Sequence, residues 1–216
     1  MRTARLSRSE RKASTRADLL AAARRAFLAR GFHRATLDEI AEEAGYTKGA
    51  VYSNFRGKDD LFLALLDEHY LLRIGAHGEL YLGLEADEPE EAARAVARSM
   101  LDAYEAEPAW WALVTDFSTH ASRDPELSAR LRELRERFLA SMAVLIDGVG
   151  ERYGLAYTLP AHEAARATGA LLRGLMLDWI LEPAPVDRVL RARLFEETVA
   201  AFIRGASVPE DERSTE

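Results

Sequence analysis

Apolar residues recur along the chain at spacings of three and four, the period of an α-helix with one buried face. Leu20, Ala23 and Phe27 share a face of a helix expected over residues 14–30. Leu37, Ile40, Ala41 and Ala44 form the stripe of a second, starting at Thr36, and Ala50, Val51 and Phe55 the apolar side of a third over 47–55. Leu61, Phe62, Leu65 and Leu66 mark a fourth, to about residue 73. Five more helices are expected at 89–105, 108–120, 125–149, 161–181 and 186–204, with the longest stripe at Leu127, Leu131, Leu134, Phe138, Met142 and Leu145. No run alternates with period two, so the chain reads as all-α.

Local chemistry punctuates this pattern. Gly31 and Gly45 stand where a left-handed residue ends a helix. Thr36-Leu37-Asp38-Glu39 is a capping box, and Asp124-Pro125 pairs an N-cap with proline at the first helical position. Pro89 and Pro108 suit first turns, and Pro183 and Pro185 separate the last two helices. Gly57 closes the third helix, while Gly75, Gly78 and Gly83 break the pattern after the fourth, and 83–89 reads as a loop. Residues 1–11 read as a polar, basic arm without regular structure. The expected division is a helix-turn-helix unit with its arm over 1–58 and a larger helical body over 59–216.

Charge sharpens this division. The net charge of −7 speaks against a polyanionic partner, but the charge is segregated. Residues 1–60 hold 13 Lys and Arg against 8 Asp and Glu, a balance of +5; the rest hold 16 against 28, a balance of −12. A basic end facing nucleic acid, with an acidic body held away, fits this distribution, and so does a solvated basic tail. The three lysines, Lys12, Lys48 and Lys58, all lie in that end, beside 26 arginines spread over the chain. The chain has no cysteine, hence no disulfide, thiol nucleophile or cysteine-bound metal.

The pair of helices 36–44 and 47–55, joined through Gly45 and Tyr46, is a helix-turn-helix pattern. The second helix presents Thr47, Lys48, Tyr52, Ser53 and Asn54 opposite its apolar side. Such groups can meet phosphates and base edges in a major groove. A plain helical hairpin is the alternative.

Residues 19–62 resemble the DNA-binding domain of the TetR family of regulators. Leu20, Ala22, Ala23, Phe27, Gly31, Phe32, Thr36, Ile40, Ala41, Gly45, Lys48, Gly49, Tyr52, Phe55, Lys58 and Leu61 fall at that family's spacing. The resemblance implies double-stranded DNA with a palindromic operator as partner, a homodimer, and a small-molecule effector held in the body. It places Thr36 near a phosphate, Thr47, Lys48 and Gly49 against DNA, Tyr52 and Lys58 on the backbone, and Tyr46 at a base. Ser53 and Asn54 stand where histidine and tyrosine are common in the family, so sequence preference does not carry over. Tyr52 as a core residue is the bland alternative.

In the body, Met100, Tyr104, Trp110, Trp111, Phe117 and His120 fall in two consecutive helices, and Met176 and Trp179 in another. They are candidates for an aromatic-lined effector pocket, or ordinary core and interface. Small residues Ala165, Gly169 and Gly174 in the helix over 161–181 suit close helix approach, and with the last helix a dimer surface. No catalytic motif survives: there is no P-loop, GxGxxG or GxSxG, and His162-Glu163 lacks a zincin's second histidine. The expectation is a cytoplasmic, dimeric DNA-binding regulator, most simply a repressor, without enzymatic activity, cofactor, metal or membrane segment. An activator, a ligand-independent DNA binder, and a helical carrier or enzyme are the alternatives.

Overall fold

The structure is a computed structural model that describes residues 7–83, 86–157, 159–182, 187–206 and 208–209. Its helices are α1 (Arg8–Arg34), α2 (Leu37–Glu43), α3 (Lys48–Asn54), α4 (Lys58–Leu82), α5 (Pro89–Glu105), α6 (Pro108–Ala121), α7 (Pro125–Tyr153), α8 (Ala161–Leu181) and α9 (Arg188–Ala206). Two-residue strands β1 (Leu155–Ala156) and β2 (Val208–Pro209) pair antiparallel, with Leu155 opposite Pro209. This pairing is too short to leave a periodic trace in the sequence. The chain is otherwise all-α among the described residues.

Helix starts follow the capping chemistry. Thr36 Oγ1 accepts the Glu39 amide at 3.3 Å while Glu39 accepts the Thr36 amide at 3.1 Å. Asp124 Oδ1 accepts from the Glu126 and Leu127 amides at 2.9 and 3.1 Å, and Pro89, Pro108 and Pro125 open their helices. α5 opens at Pro89, where the loop is expected to end. Pro183 and Pro185 lie outside the described residues, as do residues 1–6 of the basic arm.

Two boundaries differ from the sequence expectation. First, α1 begins at Arg8, because Ser7 and Glu10 form a capping box of their own: Ser7 Oγ accepts the Glu10 amide at 3.2 Å and the Ser7 amide donates to Glu10 at 2.6 Å. The Ser7-Arg8-Ser9-Glu10 pattern carried that signal. Gly31 then interrupts the helical path with φ 78° and ψ 162°. Second, α4 runs through Gly75 and Gly78 to Leu82. Glycine weakens a helix by about 1 kcal/mol relative to alanine but does not end one that packing supports. Here Ile74 packs against Leu139, Met142 and Ala165, and His77 is buried.

Two compact units result. One comprises Met1–His69 with Leu113–Leu131, the other Tyr70–Ala112 with Arg132–Glu216. The first thus reaches beyond residue 58 and takes in most of α6 and the first turns of α7. Aromatic packing explains why: Phe62 stacks on Phe117 at 4.1 Å between ring centroids, and Phe32 meets Phe117 edge-on at 5.0 Å. Phe27 closes the cluster at 5.7 Å from Phe32. Asp60 supplies the capping that Gly57 lacks, accepting the Arg56 amide at 3.0 Å and pairing with Arg130. Burial works against its charge, yet these two donors hold its carboxyl below the ordinary range.

In the second unit α5 lies along α9 over a core of Ala97, Leu101, Leu172, Leu175, Met176 and Phe195. Ion pairs lace the two helices: Arg94 to Glu197 at 3.1 Å, Arg98 to Glu196 at 2.8 Å and Arg188 to Asp102 at 2.7 Å. Arg191 is buried, held by Glu105 at 2.6 Å and stacked 4.3 Å above the Trp179 ring.

An added Cβ at Gly75 or Gly78 meets no atom within 4 Å, and neither residue has positive φ. Gly75→Ala with Gly78→Ala should therefore raise the urea midpoint, each change adding about 0.5–1 kcal/mol with the slope unaltered. A lowered midpoint would show that the glycines are needed for packing.

Candidate nucleic-acid interface and effector cavity

The DNA-facing candidates are set by how α2 ends. The Tyr46 amide donates to Ala41 O at 2.8 Å and the Gly45 amide to Glu42 O at 3.0 Å. Together these make a Schellman motif, whose reversing residue needs positive φ. Gly45 supplies it, at 75°. The chain then enters α3 through Thr47, whose Oγ1 accepts the Ala50 amide at 3.4 Å. Val51 and Phe55 are buried and hold α3 against α1 and α2.

This pinning leaves the other face of α3 outward. Thr47, Lys48, Gly49, Tyr52 and Ser53 are exposed, Tyr52 by 54%. Thr36 is exposed at the start of α2; its oxygen accepts the capping amide, and the hydroxyl proton remains free to donate. Lys48 Nζ lies 2.8 Å from Asp38 on α2, and both side chains are more than half exposed. The hydrogen bond to Asp38, then its charge, raises the lysine pKa. An exposed pair of this kind exchanges readily for another anion.

Three candidates are turned inward. The Tyr46 hydroxyl donates to Asp18 on α1 at 2.8 Å, and the ring is half-buried. Asn54 is half-buried and donates its amide to Ala50 O at 2.8 Å. Lys58 donates to His33 O at 3.0 Å and Ala35 O at 3.2 Å and lies 4.7 Å over the Phe32 ring. It satisfies carbonyls where α1 ends. Arg16, which by charge alone suits a phosphate, lies over Phe55 at 4.5 Å and reaches Asn54 O at 3.5 Å. Its role depends on a contact between α1 and α3 that spacing alone does not reveal.

A cavity of about 150 Å³ lies within the second unit. α4 contributes Tyr70, Arg73 and His77, one stripe at i, i+3 and i+7; α5 contributes Met100 and Tyr104; α6 Trp111; α7 Phe138, Met142 and Ile146; α8 Thr168, Gly169 and Arg173. Tyr104 and Trp111 stack at 3.8 Å with nearly parallel rings, and Tyr70 stacks on Phe138 at 4.5 Å. Of the eight aromatic-pocket candidates, Met100, Tyr104 and Trp111 line this cavity.

The other five pack elsewhere. Trp110 is buried, Met176 belongs to the α5–α9 core, and Trp179 is taken by Arg191. Phe117 and His120 lie in the first unit: Phe117 in the phenylalanine cluster, His120 5.1 Å from Phe32 and 3.1 Å from Asp59. Adjacent tryptophans on a helix point about 100° apart, which is why only one of Trp110 and Trp111 faces the cavity. Burial, then Arg73, lowers the His77 pKa, and burial raises those of Tyr70 and Tyr104. All three are therefore held neutral.

Among the described residues there is no acidic or histidine cluster fit to hold a metal, and no helix long and apolar enough to cross a membrane. Residues 19–65 match the signature of bacterial regulatory proteins of the tetR family, and residues 89–204 that of the BetI-type transcriptional repressor C-terminal domain. The chain belongs to the TetR family.

It is similar to the HTH-type transcriptional regulator TtgR of Pseudomonas putida, 30% identical over 82% of this chain and 86% of that protein. It is also similar to the HTH-type transcriptional activator FasR of Mycolicibacterium smegmatis, 29% identical over 85% of this chain and 78% of that one. A solved structure of a TetR-family regulator from Mesorhizobium loti superposes with a TM-score of 0.70, at 25% identity, covering 92% of this chain and 99% of that one. The chain is thus a TetR-type, helix-turn-helix DNA-binding transcriptional regulator.

For this TetR-family chain the inward placement of Lys58 has a measurable consequence. Lys58→Met should destabilise the fold by about 1–2 kcal/mol, since carbonyls near the end of α1 lose a charged donor. Chemical denaturation reads this directly; unchanged stability would return Lys58 to the surface.

Proposed function

We propose that this protein is a dimeric cytoplasmic repressor that binds a palindromic operator through α3 and releases it when a small molecule enters the cavity. The observation that carries this reading is the two-sided character of α3, with Val51 and Phe55 buried and Thr47, Lys48, Gly49, Tyr52 and Ser53 exposed. With Thr36, these residues form the proposed DNA surface. Lys48 exchanges Asp38 for a phosphate, Tyr52 donates its hydroxyl to the backbone, and Gly49 keeps that part of α3 free of side chain. Tyr46, Asn54 and Lys58 position this surface from within. The basic end, as opposed to the acidic remainder, supports the choice of partner.

Dimerisation follows from economy and from exposed apolar surface. One helix in one major groove reads few base pairs, whereas a two-fold dimer reads two half-sites about 34–36 Å apart. On α8, Leu177, Ile180 and Leu181 are exposed, and on α9, Val189 and Leu194, with Leu181 at 69% and Val189 at 77%. A monomer rarely leaves so many large apolar groups on two neighbouring helices in water.

The effector acts by population shift. α4 begins with Leu61 and Phe62 in the first unit's core and continues to Tyr70, Arg73 and His77 at the cavity. A ligand that binds one setting of this helix more tightly than another biases the spacing of two recognition helices. Repression is favoured over activation by the BetI-type repressor match to the body.

The DNA-binding reading is tested with duplex carrying the promoter upstream of the protein's own gene. Affinity should fall steeply as salt rises, and Lys48→Ala should reduce the magnitude of the log–log slope by about 1 with the fold intact. Salt-independent or undetectable binding at low salt would favour a carrier. The dimer surface is tested by Leu181→Glu with Val189→Glu. Sedimentation should give a monomer, with operator affinity reduced at least about tenfold; a persistent dimer would place the interface elsewhere.

A further inference from the structure

The cavity is apolar but not neutral. Its lining includes Arg73, His77 and Arg173 and, among the described residues, no Asp or Glu. This is unexpected in a body where acidic residues outnumber basic ones 28 to 16 beyond residue 60. Arg73 is compensated by Glu107 at 3.4 Å. Arg173 has no carboxylate partner among the described residues. Its Nη1 lies 3.2 Å from where a Cβ at Gly169 would stand, so the glycine makes room for the guanidinium against the cavity wall. Burial lowers the Arg173 pKa, and Tyr104 and Tyr70, which line the same cavity, oppose this. A second guanidinium, Arg135, hydrogen-bonds the Tyr70 side chain.

Arg173 keeps part of its side chain in water while lining the cavity, so its charge persists there without a fixed carboxylate and is open to an incoming anion. The tyrosines cannot compensate Arg173, because burial keeps them protonated. What they offer is hydroxyl donors beside the guanidinium. A planar guanidinium flanked by phenol donors matches a carboxylate, which accepts two parallel N–H bonds and further O–H bonds. The remaining walls, from Trp111 and Phe138 to Met142 and Ile146, match an apolar body. A cavity of about 150 Å³ suits a single ring or a medium-length chain.

We infer that the cavity takes a hydrophobic carboxylic acid, with its carboxylate on Arg173 and the Tyr70 and Tyr104 hydroxyls and its apolar body between α5 and α7. The inference rests on the reading of this cavity as the effector site. It selects among hydrophobic molecules by charge: acids bind, alcohols of the same length bind less, and quaternary ammonium ions are repelled by an uncompensated Arg173. Cation–π recognition by the aromatic walls, the obvious alternative for such a site, is disfavoured by that charge.

The experiment is calorimetric titration of the full-length protein with octanoate, 1-octanol and octyltrimethylammonium, repeated with 4-phenylbutyrate and 4-phenylbutanol. The wild type should bind the acid of each pair at least about tenfold more tightly than the alcohol, the worth of one charge-assisted contact. In Arg173→Met this preference should fall to within about twofold while alcohol affinity is kept, and Arg173→Lys should retain part of it. Equal or tighter alcohol binding by the wild type, no acid binding, or a preference untouched in Arg173→Met would overturn the inference. If Arg173→Met fails to fold, the wild-type acid–alcohol ratio decides alone. Operator release, followed in parallel by fluorescence anisotropy, separates this from the broader reading. Release by acid and alcohol alike removes the charge selection and leaves the effector site. Arg173-dependent acid binding with the operator still held keeps the acid site and removes its role as effector site.

Discussion

The first unit depends on holding in place a helix that cannot hold itself. α3 has seven residues, about two turns, well below the 12–15 at which an isolated helix becomes even marginal in water. It persists because Val51 and Phe55 are buried, Thr47 caps its start and Gly45 delivers the chain at the right angle. The same requirement decides which of its polar groups face outward. Near its C-terminus, Asn54 turns back to Ala50 and Arg16 covers Phe55, so that end is given to support. The N-terminal turn and Tyr52 remain outward. The packing thus confines the outward polar face of α3 to these groups.

Much of this was legible in sequence because it is written in local rules. Thr36, Asp124, Pro89, Pro108 and Gly45 act through hydrogen bonds and backbone angles within four residues of themselves, and the structure honours each, whereas Gly31 takes positive φ but kinks α1 rather than ending it, the helix continuing to Arg34. The later helix boundaries were legible for the same reason. Ser7 and Glu10 form an equally local signal, overshadowed by the arm's polarity. What was not legible depends on distant partners. Gly75 and Gly78 read as breaks because local propensity counts against them, while Ile74 and His77, packed in the second unit, keep the helix going. Lys58 and Tyr46 look like surface groups until α1 comes beside them. The aromatic residues divide between a cavity, two cores and an arginine stack, and composition cannot say which takes which.

The electrostatics of the second unit show why charge totals mislead. Its acidic excess is spent largely outside the cavity, where Glu105, Asp102, Glu196 and Glu197 neutralise the arginines that lace α5 to α9. Arg191 can be buried because Glu105 goes with it. Arg173, on α8, has no carboxylate companion among the described residues. The two arginines thus differ in their surroundings: Arg191 is buried with Glu105, whereas Arg173 is exposed and lines the cavity.

α4 has residues in both units. Its first turns are packed tightly, with Leu61, Phe62 and Leu66 almost wholly buried. Its later turns carry Tyr70, Arg73 and His77 to the cavity and contain both Gly75 and Gly78. Glycine restricts the backbone least, and two within one turn make this the stretch of α4 that bends at least cost. A ligand seated beside Arg173 and Tyr70 therefore meets a helix that is pliable where it lines the cavity and stiff where it enters the first unit. In the proposed population shift, Tyr70 and Arg73 are the cavity side chains of α4 that precede its two glycines, so contacts to them act on the stiffer part of the helix.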